Sequence, residues 1–90
     1  MRRIVQTTTF RRGVKRMKRR GKDLGKLEAV VAKLVRGEVL EPRYQPHPLA
    51  GDWKPEWDLH TGPDWLLSYD VTDDEVRLAR TGTHADLFRR

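Results

Sequence analysis

The sequence predicts an α+β fold with a short N-terminal strand and two helices packed on one face of an antiparallel β-sheet. Two patterns lead to this prediction. Apolar residues recur at helical spacing in the first half of the chain, whereas three stretches rich in β-branched and aromatic residues lie between turn residues in the second half. With 90 residues and no internal repeat, the chain is predicted to form one domain over residues 1–90.

The chain begins with a strand and a cationic helix. The β-branched stretch "RRIVQTT" favours a short first strand, and Thr8 or Thr9 is suited to cap the helix that follows. That helix is expected to stop at Gly21, because glycine readily adopts the left-handed conformation that terminates helices. Its apolar stripe consists of Phe10, Val14 and Met17.

A second amphipathic helix follows directly. Asp23 is expected to cap this helix and Gly37 to end it. Residues 38–56 contain four of the five prolines and are predicted to form a loop. The apolar stripe of the second helix consists of Leu27, Val30, Val31, Leu34 and Val35.

Three strand candidates complete the chain, and the short connections between them predict antiparallel hairpins. Their sequences are "EWDLHT", "DWLLSYDV" and "EVRLART", separated by "GPD" and "TDD". Alternation in the first of them directs Trp57 and Leu59 toward the helices and leaves Asp58 and His60 on the open face. The tryptophans are interpreted mainly as core or hinge packing: Trp53, Trp57 and Trp65.

The charge of the chain is uneven. Residues 1–40 hold 13 Lys/Arg and 3 Asp/Glu, a net charge of +10, and residues 41–90 hold 6 Lys/Arg and 10 Asp/Glu, a net charge of −4. Such a basic half predicts a polyanionic partner, either nucleic acid or an acidic protein, with a solvated helix face as the plain alternative. The candidate RNA- or ribosome-binding residues are Arg11, Arg12, Lys15, Arg16, Lys18, Arg19, Arg20 and Lys22.

Composition excludes several classes of protein. The chain has no cysteine, so it has neither disulfides nor thiolate metal sites. No apolar run approaches the roughly 20 residues of a membrane span, and the N-terminus lacks the apolar segment of a signal peptide. We therefore expect a cytoplasmic protein without a membrane partner.

All three histidines lie in the second half of the chain, in stretches rich in turn residues. His47 stands between two prolines, His60 shares a strand face with Asp58, and His84 follows the last strand. Asp64 opens the strand across the turn from His60. Three imidazoles and two carboxylates can thus converge on one concave face.

Two chemistries use such a set. A metal site is disfavoured because the spacing matches no tight ligand pattern such as H-E-x-x-H, and no metal or other cofactor is predicted. General acid–base catalysis suits histidine, because its pKa lies near neutrality. In a basic protein this combination indicates RNA cleavage, in which the 2′-OH of the substrate is the nucleophile.

The C-terminal half also resembles a known family. Residues 44–88 contain the motifs H-P-L-x-G-x-W, D-x-H-x-x-P-D-W and R-T-G-T-H-x-x-L-F in order, and they closely resemble the YafQ-type toxins of the RelE superfamily. The resemblance implies a RelE-like microbial RNase fold and a ribosome-dependent mRNA endoribonuclease that inhibits translation. It also implies a type II toxin–antitoxin pair, in which a cognate antitoxin inhibits the toxin in a hetero-oligomer.

The resemblance implies a set of active-site residues as well. His84 is expected to be the general acid and His47 or His60 the general base, with Arg80 steadying the scissile phosphate. Asp58 and Asp64 are expected to orient imidazoles, with capping of the hairpin as the alternative for Asp64. Phe88 is expected to stack on an RNA base, with core packing as the alternative. The set is His47, Asp58, His60, Asp64, Arg80, His84 and Phe88.

Two other functions remain compatible with the sequence. One is a non-catalytic RNA- or ribosome-binding module whose histidines only form hydrogen bonds. The other is an inactive partner subunit that folds only within a complex.

Overall fold

A computed structural model of the chain describes residues 1–49 and 56–88. It contains a five-stranded sheet with the two long helices on one of its faces. The strands are β1 (Arg3–Gln6), β2 (His47–Pro48), β3 (Trp57–Gly62), β4 (Trp65–Val71) and β5 (Glu75–Gly82). The helices are α1 (Thr8–Arg19), α2 (Leu24–Arg36) and α3 (His84–Phe88), with a 3₁₀ turn at Pro42–Tyr44.

The strand order in the sheet is β1-β5-β4-β3-β2. Strands β3, β4 and β5 form antiparallel hairpins, as the short turns between them predict, and β2, which was not predicted, also pairs antiparallel with β3. β1 instead pairs in parallel with β5, Ile4 lying opposite Val76. This is the right pairing for a strand that returns through two helices, because a parallel neighbour requires a long crossover connection. The predicted α+β class is confirmed, with a mixed sheet.

The ends of the two long helices follow the sequence closely. Thr7, and neither Thr8 nor Thr9, caps α1, because its hydroxyl accepts from the Phe10 N–H and also donates to the Ala79 carbonyl of β5. Asp23 caps α2 as predicted, and Gly37 ends it with a φ of 71°, in the left-handed region.

The core lies between the two long helices and the sheet. α1 packs mainly on β5, and α2 contacts β3 and β5. The predicted stripes are confirmed: Phe10, Met17, Leu27, Val30 and Leu34 are buried, and Val14, Val31 and Val35 pack at the margin. On the sheet side the core contains Leu59, Trp65, Leu67, Tyr69, Val76 and Leu78.

α1 approaches the sheet very closely at Gly13, which is buried. A Cβ at this position would overlap the carbonyl oxygen of Thr81 in β5. The absence of a side chain therefore sets the distance between α1 and β5.

Several sequence predictions need correction. The predicted loop 38–56 contains the 3₁₀ turn and β2, and α3 was not predicted. Trp57 is on the helix side of β3, but it is the first residue of that strand and is 40% exposed rather than core. Trp65 is buried as predicted, and Trp53 lies outside the described residues. None of the described helices is long and apolar enough to cross a membrane.

Candidate active site

The open face of the sheet carries a row of polar side chains that runs across four strands. His47 of β2 lies opposite Asp58 of β3, Asp58 opposite Ser68 of β4, and Ser68 opposite Arg80 of β5. Directly opposed residues share a sheet face and have neighbouring Cβ atoms. The pairing of the short strand β2 thus brings His47 beside residues that follow it by 11 or more positions.

The three imidazoles are successive neighbours across this face, and we name this series of rings the imidazole line. The ring centroids of His47 and His60 are 6.4 Å apart, and those of His60 and His84 are 6.1 Å apart. The Phe88 ring continues the line, with its centroid 6.3 Å from that of His84. The convergence predicted from the sequence is therefore present, with His60 at the centre.

Asp64 holds His84 in place. It lies in the β3–β4 turn with a φ of 47°, and its Oδ1 accepts both from the His84 backbone N–H at 3.0 Å and from its ring Nδ1 at 2.8 Å. The hydrogen bond from the His84 ring, together with that from its backbone, lowers the pKa of the Asp64 carboxyl. The ring is thus fixed in the tautomer that leaves Nε2 for a substrate. Asp64 therefore bonds to an imidazole in addition to lying in the hairpin turn, and its orienting role in catalysis stays a prediction.

His47 is held in the same tautomer by a different group. Its Nδ1 lies 2.9 Å from the carbonyl oxygen of Gln45, which can only accept. Gln45 adopts the left-handed conformation at the end of the 3₁₀ turn, with a φ of 45°, and so directs its carbonyl toward the ring. Nε2 of His47 is consequently available to accept a proton.

Asp58 is arranged differently from the prediction. It lies on the open face but is fully buried, and its Oδ1 accepts from the hydroxyl of Ser68 at 2.5 Å. Its hydrogen bond therefore goes to a serine and not to an imidazole. The pKa of the neighbouring Tyr69 is raised to about 12, mainly by the burial of Tyr69 itself and secondly by the negative charge of Asp58.

Arg80 is anchored at the other end of the row. Its side chain is only 13% exposed, and its guanidinium contacts Glu56 Oε1 and the Leu87 carbonyl oxygen, both at 3.4 Å. The guanidinium carbon lies 5.9 Å from the centroid of the Phe88 ring. Phe88 is partly buried between Arg80 and His84 and thus belongs to the site rather than to the core.

The helix α3, which carries His84 and Phe88, is fastened at its first turn. Asp86 accepts from both terminal nitrogens of Arg20, at 2.6 and 3.2 Å, and from the Thr83 N–H, while the Thr83 hydroxyl accepts from the Asp86 N–H. The last two bonds form a capping box. The hydrogen bond from Arg20 is the main reason why the pKa of Asp86 lies well below its usual value.

Arg20 therefore differs from the other cations of the basic run. Its guanidinium is joined to α3, beside the imidazoles. Of the other seven, Arg16 is half-buried and six are exposed: Arg11, Arg12, Lys15, Lys18, Arg19 and Lys22.

Three further residues support the site and were missed at the sequence level. Ser68 is a polar residue that interrupts the apolar stretch of β4, and Asp86 completes the pattern T-x-x-D at the start of α3, so both left a signal. Glu56 left none, because its role depends on the pairing of β3 with β4 and β5. Among the described residues, no group of three or more His, Cys, Asp or Glu side chains is arranged to hold a metal ion.

The chain is similar to known toxins. A family model described as the bacterial toxin of a type II toxin–antitoxin system, YafQ, matches residues 2–89. The mRNA interferase toxin YafQ of Escherichia coli strain K12 is 41% identical over 86 residues, which cover 94% of each chain. A chain in the crystal structure of the E. coli DinJ–YafQ toxin–antitoxin complex has a TM-score of 0.89 and 41% identity, covering 97% of both chains. A metal-bound toxin from Helicobacter pylori has a TM-score of 0.91 and 34% identity, covering 98% of this chain and 100% of that chain.

Proposed function

Because this chain belongs to the YafQ family of bacterial type II toxins, we propose that it is an mRNA interferase, an endoribonuclease that cuts mRNA on the ribosome and so inhibits translation. One observation carries the proposal. The imidazoles of His47 and His84 both have their Nδ1 atoms engaged, which leaves two Nε2 atoms for the substrate on either side of His60. An acid and a base on opposite sides of a phosphodiester are what cleavage through the 2′-OH requires.

The reaction begins at the ribose. The Nε2 atom of His47 or His60 takes the proton of the 2′-OH, and the 2′-oxygen then attacks the adjacent phosphorus. Single-turnover rates of the two alanine variants, compared over a pH series, distinguish which imidazole is the base. In the variant that lacks the general base, the cleavage rate no longer varies with pH through the ionisation of that group.

The reaction ends at the leaving group. His84, protonated and held by Asp64, donates its Nε2 proton to the 5′-oxygen as the P–O5′ bond breaks. Arg80, held by Glu56 and Leu87, stabilises the negative charge that develops on the non-bridging oxygens. Phe88 offers a ring face on which an adjacent base can stack.

The substrate supplies the nucleophile, and we propose that no metal ion takes part in the step. The exposed cations of α1 supply affinity for ribosomal RNA, and the ribosome supplies the orientation of the mRNA. The protein then acts in the cytoplasm, where mRNA is translated.

The partner that restrains this activity is proposed to be a cognate antitoxin protein, in a toxin–antitoxin hetero-oligomer. The related E. coli toxin forms a complex with DinJ, as the name of that complex states. The basic surface of α1 is suited to an acidic segment of such a partner.

The test is the chemistry of the cut ends. Purified protein is incubated with a programmed ribosome and, separately, with the same mRNA alone. Cleavage on the ribosome, giving a 2′,3′-cyclic phosphate or 3′-phosphate and a 5′-OH, is expected. Ends that carry a 5′-phosphate indicate a metal-activated water and contradict the mechanism. Binding without cleavage indicates a non-catalytic module.

A further inference from the structure

A second concave surface adjoins the histidines. It is a cleft of about 660 Å³ between the first half of α2, the 3₁₀ turn and the end of β3, and we name it the α2–β3 cleft. Its size falls in the range of ligand-binding pockets. His60 lines this cleft and also stands at the centre of the imidazole line, so the two surfaces are continuous.

The cleft contains a buried polar atom without a partner. Thr61 is 8% exposed, and its Oγ1 has no hydrogen-bond partner among residues 1–49 and 56–88. The register of β3 with β4 shifts between His60 and Gly62, so Thr61 is bulged out of the ladder. Buried hydroxyls are normally satisfied, and β-bulges often lie beside active sites, where they redirect a side chain. A hydroxyl both donates and accepts, which suits the edge of a nucleobase.

The wall of the cleft that is formed by the 3₁₀ turn contains the planar guanidinium group of Arg43. The guanidinium of Arg43 lies over the Tyr44 ring, 4.7 Å from its centroid, and donates to the Tyr44 hydroxyl at 2.9 Å. The Arg43 side chain is nevertheless 72% exposed. It is therefore held in one plane while much of its surface remains open, as stacking on a base requires.

A second cation lines the cleft where α2 begins. Lys26 is exposed and belongs to this wall. The nearby carboxylate of Asp23 already accepts from the backbone N–H of Gly25. A phosphate at this wall thus meets an ammonium group, and the negative charge of Asp23 is in part engaged by the helix.

We infer that the α2–β3 cleft is a nucleotide subsite that binds the base next to the cleaved bond of the RNA. The base stacks on Arg43, the Thr61 hydroxyl bonds to its edge, and Lys26 neutralises the neighbouring phosphate. The inference rests on the proposed function, since it assigns a place to the substrate of that site. It makes the cleft a determinant of sequence preference, whereas the imidazoles perform the chemistry.

The test is a sequence profile of cleavage. An mRNA library randomised at the positions flanking the cut is programmed on ribosomes, and the relative kcat/KM of each sequence is measured for Arg43→Gln and Thr61→Val. Loss of a stacked base is expected to lower kcat/KM about tenfold and to flatten the preference at one flanking position. Thr61→Ser, which retains the hydroxyl, should keep the wild-type profile.

The matched control is Arg36→Gln, which also removes an exposed arginine paired with a glutamate two residues away. It should cleave with the wild-type profile and rate. Wild-type profiles for Arg43→Gln and Thr61→Val overturn the subsite. An equal loss on every sequence also overturns it, because the cleft then binds only phosphate. His84→Ala, measured in parallel, separates these outcomes from failure of the proposed function.

Discussion

The two faces of the sheet are built from the same strands but from different kinds of side chain. In β4, Leu67 and Ser68 are adjacent and equally inaccessible to solvent, yet Leu67 faces the helices and Ser68 faces the opposite side. The helix face is predominantly apolar, and its buried Trp65 indole N–H donates to the Thr81 hydroxyl. The open face buries a carboxylate and a hydroxyl that satisfy each other. This difference indicates that stability depends mainly on one face and activity on the other.

The largest effect is expected at the exposed end of the open face. His84→Ala removes the proposed general acid and should slow cleavage about 10²–10⁴-fold. Its side chain is 59% exposed, so the free energy of unfolding should change by no more than about 0.5 kcal/mol. Single-turnover cleavage and denaturant unfolding measure the two quantities. A folded His84→Ala protein that cleaves at the wild-type rate removes His84 from the mechanism.

The reverse outcome is expected on the helix face. Leu67→Ala leaves a cavity beneath the helices and should lower the free energy of unfolding by about 2–5 kcal/mol. The folded fraction should still cleave near the wild-type rate, measured below its melting temperature. A large decrease in rate per folded molecule shows instead that the two faces are coupled and that activity depends on both.

The neighbouring position tests both properties together. Ser68→Ala removes the donor to Asp58 and leaves a buried carboxylate without that bond, which should cost about 1–3 kcal/mol of stability. Unlike Leu67→Ala, it should also slow cleavage, because Asp58 and Ser68 lie between His47 and Arg80. Unchanged cleavage by a destabilised Ser68→Ala protein makes the pair a purely structural element.

The fastening of α3 should appear as a pH dependence of stability. The pKa of Asp86 is lowered in the folded state, so the unfolded chain binds the proton at higher pH. The contribution is complete above about pH 5 and is lost as the pH falls below about 4 toward the folded value. Asp86→Asn should therefore flatten the curve of unfolding free energy between about pH 5 and about pH 2.5, whereas Asp73→Asn, in an exposed turn, should not. Identical curves for wild type and Asp86→Asn contradict the pairing.

The smallest effect is expected from the exposed cations. Replacing Lys15, Lys18 and Arg19 with Gln should weaken ribosome binding and lower the salt slope by roughly one unit for each phosphate that is no longer neutralised. The cleavage rate on saturating ribosomes should not change. Arg20→Gln should instead lower that rate, because Arg20 fastens the helix of His84. An unchanged affinity and slope for the triple variant indicate a solvated helix face.

The spacing of apolar residues was sufficient to predict those elements whose buried faces are set by residues close in sequence. The stripes of α1 and α2 and the strands β3 to β5 are specified by residues close in sequence. The position of His47 depends on pairing with Asp58, 11 residues further on, and no local pattern encodes such a pairing. The burial of Asp58 was equally hidden, because alternation gives the face of a side chain and not what covers it. The cap of α1 was displaced to Thr7 because a hydrogen bond to β5 favours that residue.

Gly13 has a consequence for the genetics of such a gene. Every single-base missense change in a glycine codon introduces a larger residue, and any Cβ at this position must push α1 away from the Thr81 carbonyl. We expect the displacement to reach His84 and Phe88, because Arg20 at the end of α1 is bonded to Asp86 of α3. When the protein is produced without an antitoxin, the cells that survive should therefore carry substitutions at codon 13 as well as at the histidine codons.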